Sequence, residues 1–246
     1  MRHDWPFPAK PGLAYKLCSR FVLALVGSTA KLGLTVLNSV SVENFDELKR
    51  AIANCAHQPL ITVSNHYCCI DDPLLWAHEM RWTLAAKELV FTRPSYSRFF
   101  SLGRCVPVIR GDGVYQRAMD FCLERLNEGG WVHIFPEGRV NAEKETIRLK
   151  WGVGRLVAES NKLPKIIPFW HMGTDDILPN KKPYIPHFGN KVTVVVGPEI
   201  NIGPLVQQLR ESLASPKEMR KAITDAIQVE LFALRAKAES LHAQSS

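Results

Sequence analysis

No pair of cysteines in this chain has the C-x-x-C spacing, no segment repeats, and no tract is of low complexity. The six cysteines, at 18, 55, 68, 69, 105 and 122, therefore carry neither the usual zinc spacing nor a thioredoxin-like redox pair. A small secreted disulfide scaffold is excluded as well, because 246 residues can build a core without covalent staples. Most of these thiols read as small buried hydrophobes. The histidines at 78, 133, 171 and 187 form no recognisable zinc pattern. Basic residues are scattered rather than grouped with aromatics, which argues against a nucleic-acid partner. A nucleophile in an activating setting is missing too: Cys68 and Cys69 adjoin, but nothing electropositive beside them in sequence would lower a thiol pKa.

What is present describes a folded protein. Hydrophobic residues make up 46% and charged residues 22%, the balance of a globular chain, and the length suits one large domain or two small ones. A formal charge of +7 favours an anionic partner, and an anionic lipid surface qualifies. From residue 58 onward short apolar runs alternate with longer amphipathic ones, the pattern of an α/β domain. Strands are expected at 60–65, 82–87, 105–110, 131–136, 165–171 and 191–197, with helices near 73–80, 95–102, 113–128 and 151–161. Gly129 supplies a stop for the third helix, and a last amphipathic helix, with Met219, Ile223, Ile227, Leu231 and Leu234 on one stripe, is expected over 216–241. The expected architecture is a single α/β domain with a central mixed sheet of about six or seven strands flanked by helices. The longest loop, "GTDDILPNKKPYIPHFGN" at 173–190, names no chemistry, although such loops are usually functional or mobile.

One long apolar run stands near the N-terminus. "FVLALVGSTAKLGLTVLNSVSV", residues 21–42, is uncharged except for Lys31. Spanning a bilayer takes about 20 apolar residues, and a lysine near the middle costs roughly 2.5–3.5 kcal/mol. A helix lying in the interface, or a re-entrant hairpin, lets Lys31 snorkel to the headgroups instead. The upstream "DWPFPAKP" reads as a headgroup-level anchor, tryptophan being favoured there. A buried core helix and a signal peptide cleaved after "STA" compete with this reading. The expected division is thus a membrane-anchoring segment over 1–45 and an α/β domain over 46–246 carrying the C-terminal helix.

The densest polar cluster is "TVSNHYCCIDDP", 62–73, at the end of an expected strand, where α/β proteins usually bind ligands. Four residues separate His66 from Asp71, enough chain to turn the carboxylate back onto the imidazole. Such a contact fixes the tautomer and makes the other ring nitrogen a better base. Alone, a histidine near an aspartate is more often a structural hydrogen bond.

Asn65-His66-x₄-Asp71, a strand ending in Arg110, "FPEG" at 135–138 and "IIP" at 166–168 follow in order. This series resembles the glycerolipid acyltransferase family over roughly residues 58 to 200. Arg139 directly follows the glycine, where the wider family has a small hydroxyl residue; "WVHIFPEG", "KWGVGRLVAE" and "PFWHMGTDDILPN" are similar to a CoA-independent transacylase branch of that family. The resemblance implies acyl exchange between phospholipids and lysophospholipids, with cardiolipin remodelled, no metal and no cofactor. His66 would be the general base, Asp71 its orienting partner, and Arg110 the cation for a lipid phosphate. Glu137 and Gly138 would shape the substrate pocket, with an ion pair as the plainer role for Glu137; Arg139 reads equally as a phosphate contact or a surface charge. A monotopic mitochondrial protein facing the intermembrane space is implied, and Arg2, Lys10, Lys16 and Arg20 are compatible with import. The alternatives are an acyl-CoA-dependent lysophospholipid acyltransferase and a non-catalytic membrane protein that binds anionic lipid.

Overall fold

The computed structural model describes residues 5–71 and 81–244. The expected helix at 73–80 lies outside the described residues. In chain order come α1 (Leu13–Thr35), β1 (Ser39–Glu43), α2 (Phe45–Ala53), β2 (Leu60–Ser64), β3 (Trp82–Ala86), α3 (Lys87–Val90), α4 (Pro94–Leu102) and β4 (Cys105–Val108). They are followed by α5 (Arg117–Asn127), β5 (Trp131–Ile134), α6 (Gly152–Glu159), β6 (Lys165–Met172), α7 (Thr174–Ile177), β7 (Lys191–Val196), α8 (Gly203–Glu211) and α9 (Pro216–Gln244).

The strands form one seven-stranded sheet in the order β1-β7-β6-β2-β5-β3-β4. All neighbours are parallel except β6 and β7, so the sheet is mixed, as the sequence indicates. Central strands such as β2, "LITVS", are buried along their whole length because helices cover both faces. Alternation then splits each strand between two cores. Ile61, Val63, Val132 and Ile166 face Met119, Leu126, Leu156, Ile223 and Ile227 on one side. Leu60, Trp131, Ile167 and Phe169 face Leu48 and Ile52 on the other. Helix α9 is the packing helix its stripe suggests, burying Ile223, Ile227 and Leu231. It passes α6 so closely that a Cβ at Gly154 would overlap the Arg220 carbonyl oxygen and the Thr224 hydroxyl.

Register places the site. Val63 of β2 lies opposite both Ile134 of β5 and Pro168 of β6. Strands β2 and β5 therefore end nearly level, while β6 runs on to Met172 beside the chain leaving β2, and these segments meet at one sheet edge.

Three expectations for the N-terminal region and the helix at 113–128 change. Residues 39–43, which the sequence assigns to the anchoring segment, are β1, an edge strand paired with β7. The "SVSVE" alternation is that of a strand with one covered face, but it continues directly from an apolar helix and is masked by it. Trp5 and Phe7 are not a headgroup-level anchor: they pack with Phe121 and Trp82 against the core, Phe7 stacking on Phe121 at 4.8 Å. The expected helix at 113–128 begins only at Arg117, because the Gln116 amide closes the preceding turn by bonding both Ile109 N and O. Helix α1 itself is long and apolar enough, by length and composition, to cross a membrane. It is held along one side to α4, where Tyr15 donates to the Ser101 carbonyl at 3.2 Å and Ser19 to the Leu102 carbonyl at 2.7 Å. Its other side exposes Leu13, Leu17, Phe21 and Leu25 at four-residue spacing.

Candidate active site

Beyond the last residue of β2, the Asn65 side chain continues the sheet. Its amide donates to the His171 carbonyl and accepts from the His171 N–H, both at 2.9 Å, as a peptide of another strand would. The chain then turns around a carboxylate. Asp71 Oδ2 accepts the backbone N–H groups of Tyr67 (2.7 Å) and Cys68 (2.8 Å) and lies 2.9 Å from His66 Nδ1. The four-residue spacing is thus what lets one oxygen gather three donors.

Asp71 is almost wholly buried. Burial pushes its carboxyl up, but the imidazoles of His171 and His66 and the Cys68 N–H outweigh it and hold the group below the usual carboxylate range. An ionised Asp71 accepts from Nδ1–H of His66 and leaves Nε2 as the basic nitrogen. That ring is 17% exposed, enough for a ligand to reach it, and it stacks on Phe135 at 4.1 Å.

Glu137 reaches the same turn from the end of β5. Its Oε1 accepts the His66 N–H at 3.0 Å, while the Asn141 N–H donates to the His66 carbonyl at 2.6 Å, so the histidine backbone is clamped from both sides. Glu137 makes no ion pair among the described residues, which departs from the plainer expectation for it. Its buried Oε2 has no hydrogen-bond partner among them. Burial raises its carboxyl pKa, against the lowering by the His66 N–H and Asn141. Gly138 adopts φ +74°, a turn conformation costly for any residue with a Cβ. Arg139 is exposed at the rim.

Arg110 is not brought into contact with His66, Asp71 or Glu137. Strand β4 ends at Val108, two residues earlier than the sequence suggests, and Arg110 projects at the far side of the same sheet edge. There its Nε pairs with Glu88 of α3.

The sequence reading missed the groups behind the dyad. His171 is buried, its Nε2–H donating to the Asn65 carbonyl at 2.9 Å and lying 3.6 Å from Asp71 Oδ2. Burial lowers its pKa against the opposing pull of Asp71, leaving it neutral near pH 7. His133 is likewise buried and its pKa lies well below the ordinary value, desolvation being the main cause. Trp131 Nε1 donates to the Thr62 hydroxyl at 2.9 Å, and that hydroxyl is hydrogen-bonded to His133 Nδ1, also at 2.9 Å. His133 packs edge-on against Phe135, the ring that supports His66. Polar residues inside otherwise apolar strands, Thr62 and His133, are the signal that could have revealed this layer. Among the described residues no cluster of three or more His, Cys, Asp or Glu side chains is placed to hold a metal. Cys68 is buried with its thiol donating to the Leu178 carbonyl at 3.0 Å, and Cys69 is exposed.

Residues 39–172 match the acyltransferase family, a span that contains the His66–Asp71 turn and "FPEG". The chain is 43% identical to a protein of Drosophila melanogaster named tafazzin, over 97% of this chain and 67% of that one. This chain belongs to the tafazzin family of acyltransferases. A further relative is the N-acylphosphatidylethanolamine synthase of Arabidopsis thaliana, 37% identical over 73% of this chain and 69% of that protein. The fold is shared with the crystal structure of the 1-acyl-sn-glycerophosphate acyltransferase PlsC from Thermotoga maritima. The TM-score is 0.61 at 20% identity, covering 89% of this chain and 81% of the other. As a tafazzin-family member the protein is an acyltransferase, and the turn where β2 and β5 end beside β6 is its candidate active site.

Proposed function

We propose that this acyltransferase is a CoA-independent phospholipid–lysophospholipid transacylase that remodels cardiolipin, with His66 as general base. One observation carries the reading: a buried carboxylate fixes Nδ1–H of His66 at 2.9 Å while the ring remains accessible, and the buried Oε2 of Glu137 has no partner among the described residues. An acceptor hydroxyl that donates to Nε2 loses its proton as its oxygen attacks the donor ester carbonyl. The imidazolium so formed is stabilised by Asp71. When the tetrahedral intermediate collapses, the departing glycerol alkoxide takes the proton back from Nε2. Proton and electron pairs balance without a covalent acyl-enzyme, and no activated serine or cysteine is required.

In this reading Glu137 Oε2 accepts a hydrogen bond from a glycerol hydroxyl. Gly138 keeps the adjoining turn tight, and Arg139 at the rim carries a headgroup contact. Arg110 uses Nε for Glu88, which leaves its terminal nitrogens for a lipid phosphate. The exposed apolar stripe of α1 seats the protein on a membrane, with residues 1–38 as the anchoring segment and the catalytic domain beginning at β1. The membrane is assigned to the mitochondrion, with the protein monotopic on the intermembrane-space side.

The test uses purified full-length protein, labelled phosphatidylcholine and monolysocardiolipin, without CoA. Exchange is expected from the parent protein and is expected to be abolished in His66→Ala, with the circular dichroism spectrum unchanged. A His66→Ala protein that retained most activity would sink the mechanism, and dependence on added acyl-CoA would replace it by the CoA-dependent reaction. The Arabidopsis relative favours a second reading, an amine acceptor, since its name describes N-acylation. Phosphatidylethanolamine as the acceptor in the same assay separates the two.

A further inference from the structure

The loop at 173–190 has an unusual division of labour. Its base is bonded to the turn that carries His66 and Asp71: the Asn180 amide donates to the Tyr67 carbonyl at 2.6 Å, and the Leu178 carbonyl accepts the Cys68 thiol at 3.0 Å. The His187 N–H closes the loop onto the Ile177 carbonyl at 2.7 Å, so that residues between them project as an arm. The tip of that arm exposes Tyr184 (56%) and Ile185 (57%), and Phe188 (64%) is exposed just past its closure. Lys181 and Lys182 are exposed beside them and make no ion pair among the described residues. The nearby acids sit at the base: Asp175 is paired with Lys144 at 2.8 Å, and Asp176 is exposed on α7.

The chain leaving the arm is clipped to the turn that follows α1. The Gly189 N–H donates to the Leu37 carbonyl at 2.8 Å, Asn190 N–H to the Asn38 side chain at 3.0 Å, and Asn38 in turn to the Gly33 carbonyl at 2.9 Å. Leu32, Val36 and Leu37 at this end of the helix are exposed as well. Exposed aromatic and aliphatic side chains next to two lysines form the pattern that favours an anionic bilayer surface, the rings entering the headgroup region and the ammonium groups meeting lipid phosphates.

We propose that residues 178–188 are a second membrane-docking arm, which seats on an anionic lipid surface beside the apolar face of α1 and ties that contact to the turn holding His66 and Asp71. The proposal rests on the membrane reading of α1 given above and adds a lipid-recognising element to it. Hydrocarbon contact comes from Tyr184, Ile185 and Phe188. Preference for negative lipid comes from Lys181 and Lys182. Asn180 transmits the position of the arm to the active-site turn.

The experiment is vesicle co-flotation of the full-length protein with phosphatidylcholine vesicles, with and without phosphatidylglycerol. The triple variant Tyr184→Ser/Ile185→Ser/Phe188→Ser is expected to partition about tenfold less onto both vesicles. Lys181→Gln/Lys182→Gln is expected to lose about tenfold on anionic vesicles only, an effect that fades in high salt. Both variants are expected to keep the parent's exchange rate on short-chain substrates in detergent micelles, which shows that they fold. Asn180→Ala is expected to float like the parent yet exchange several-fold more slowly on vesicles. A triple variant that floats like the parent overturns the arm while leaving α1 as the anchor, provided Leu17→Ser/Phe21→Ser reduces flotation. A parent protein that fails to float overturns the membrane reading and the arm together. Loss of binding to a protein partner, with flotation intact, overturns the lipid assignment.

Discussion

A single carboxylate oxygen, Asp71 Oδ2, accepts two backbone N–H groups and faces two imidazoles. A carboxamide in its place would put a donor or a weaker acceptor where the two backbone N–H groups and His66 Nδ1–H need an acceptor. Asp71→Asn is therefore expected to lower kcat by about 10²-fold or more while leaving the substrate KM within a few-fold, measured in the same exchange assay. An unchanged kcat would show that the tautomer of His66 is set elsewhere. At this scale the sequence was partly legible. His66, Asp71, Glu137 and Gly138 stand in recognisable spacing, and the fold brings them to one turn. Asn65 and His171 were not legible as partners, because they stand 106 positions apart and only the pairing of β2 with β6 brings them together. Arg110 illustrates the opposite case: a correct placement of its strand says little about which side chains surround it, and Glu88 lies on a helix that the pattern did not reveal.

Among the elements, long runs of β-branched residues such as "KVTVVV" declared themselves, since strands covered on both faces need no polar alternation. Short or partly polar elements did not. Helix α2 and strand β1 sit where the apolar N-terminal run fades, and helix α8 follows a loop without a strong periodic pattern. The contact between α6 and α9 was invisible for a different reason: nothing in "KWGVGRL" says which glycine another helix will touch. Gly154 meets the backbone of α9 at Arg220 and its side chain at Thr224, neither of which can yield without moving the helix. Gly154→Ala is expected to destabilise the protein by about 1–3 kcal/mol, despite the better helix propensity of alanine. The midpoint of urea unfolding measures this, and a stabilised variant would mean the two helices separate freely.

For the whole molecule, pH acts through buried groups. His133 and His171 have native pKa values below the unfolded one, so their neutral forms add stability that is complete above about 6.5 and declines as pH falls toward their native values. Asp71, also held below its ordinary value, adds stability that is present above about 3.9 and is lost as pH falls through its native value. Glu137 acts with the opposite sign: raised by burial, it contributes below its native pKa and loses that contribution as pH rises through it. His133, held well below its ordinary value by burial, is taken to set the sign in the weakly acid range. Urea midpoints are therefore expected to fall steadily from pH 7 to pH 5, and His133→Gln is expected to flatten that slope. A parent profile that is flat there would mean that the buried imidazoles have no resolved linkage.

Two hydroxyl groups limit how deeply the protein can enter lipid. Tyr15 and Ser19 of α1 are bonded to carbonyls at the last turn of α4. Threading α1 through hydrocarbon would break both bonds in a medium with no water to replace them. On the membrane reading proposed above, the helix rests on one leaflet and the reaction draws donor and acceptor from that leaflet alone. Lipids on the opposite side would then exchange their chains only after flipping across, and newly remodelled species would accumulate first on the face where the enzyme lies.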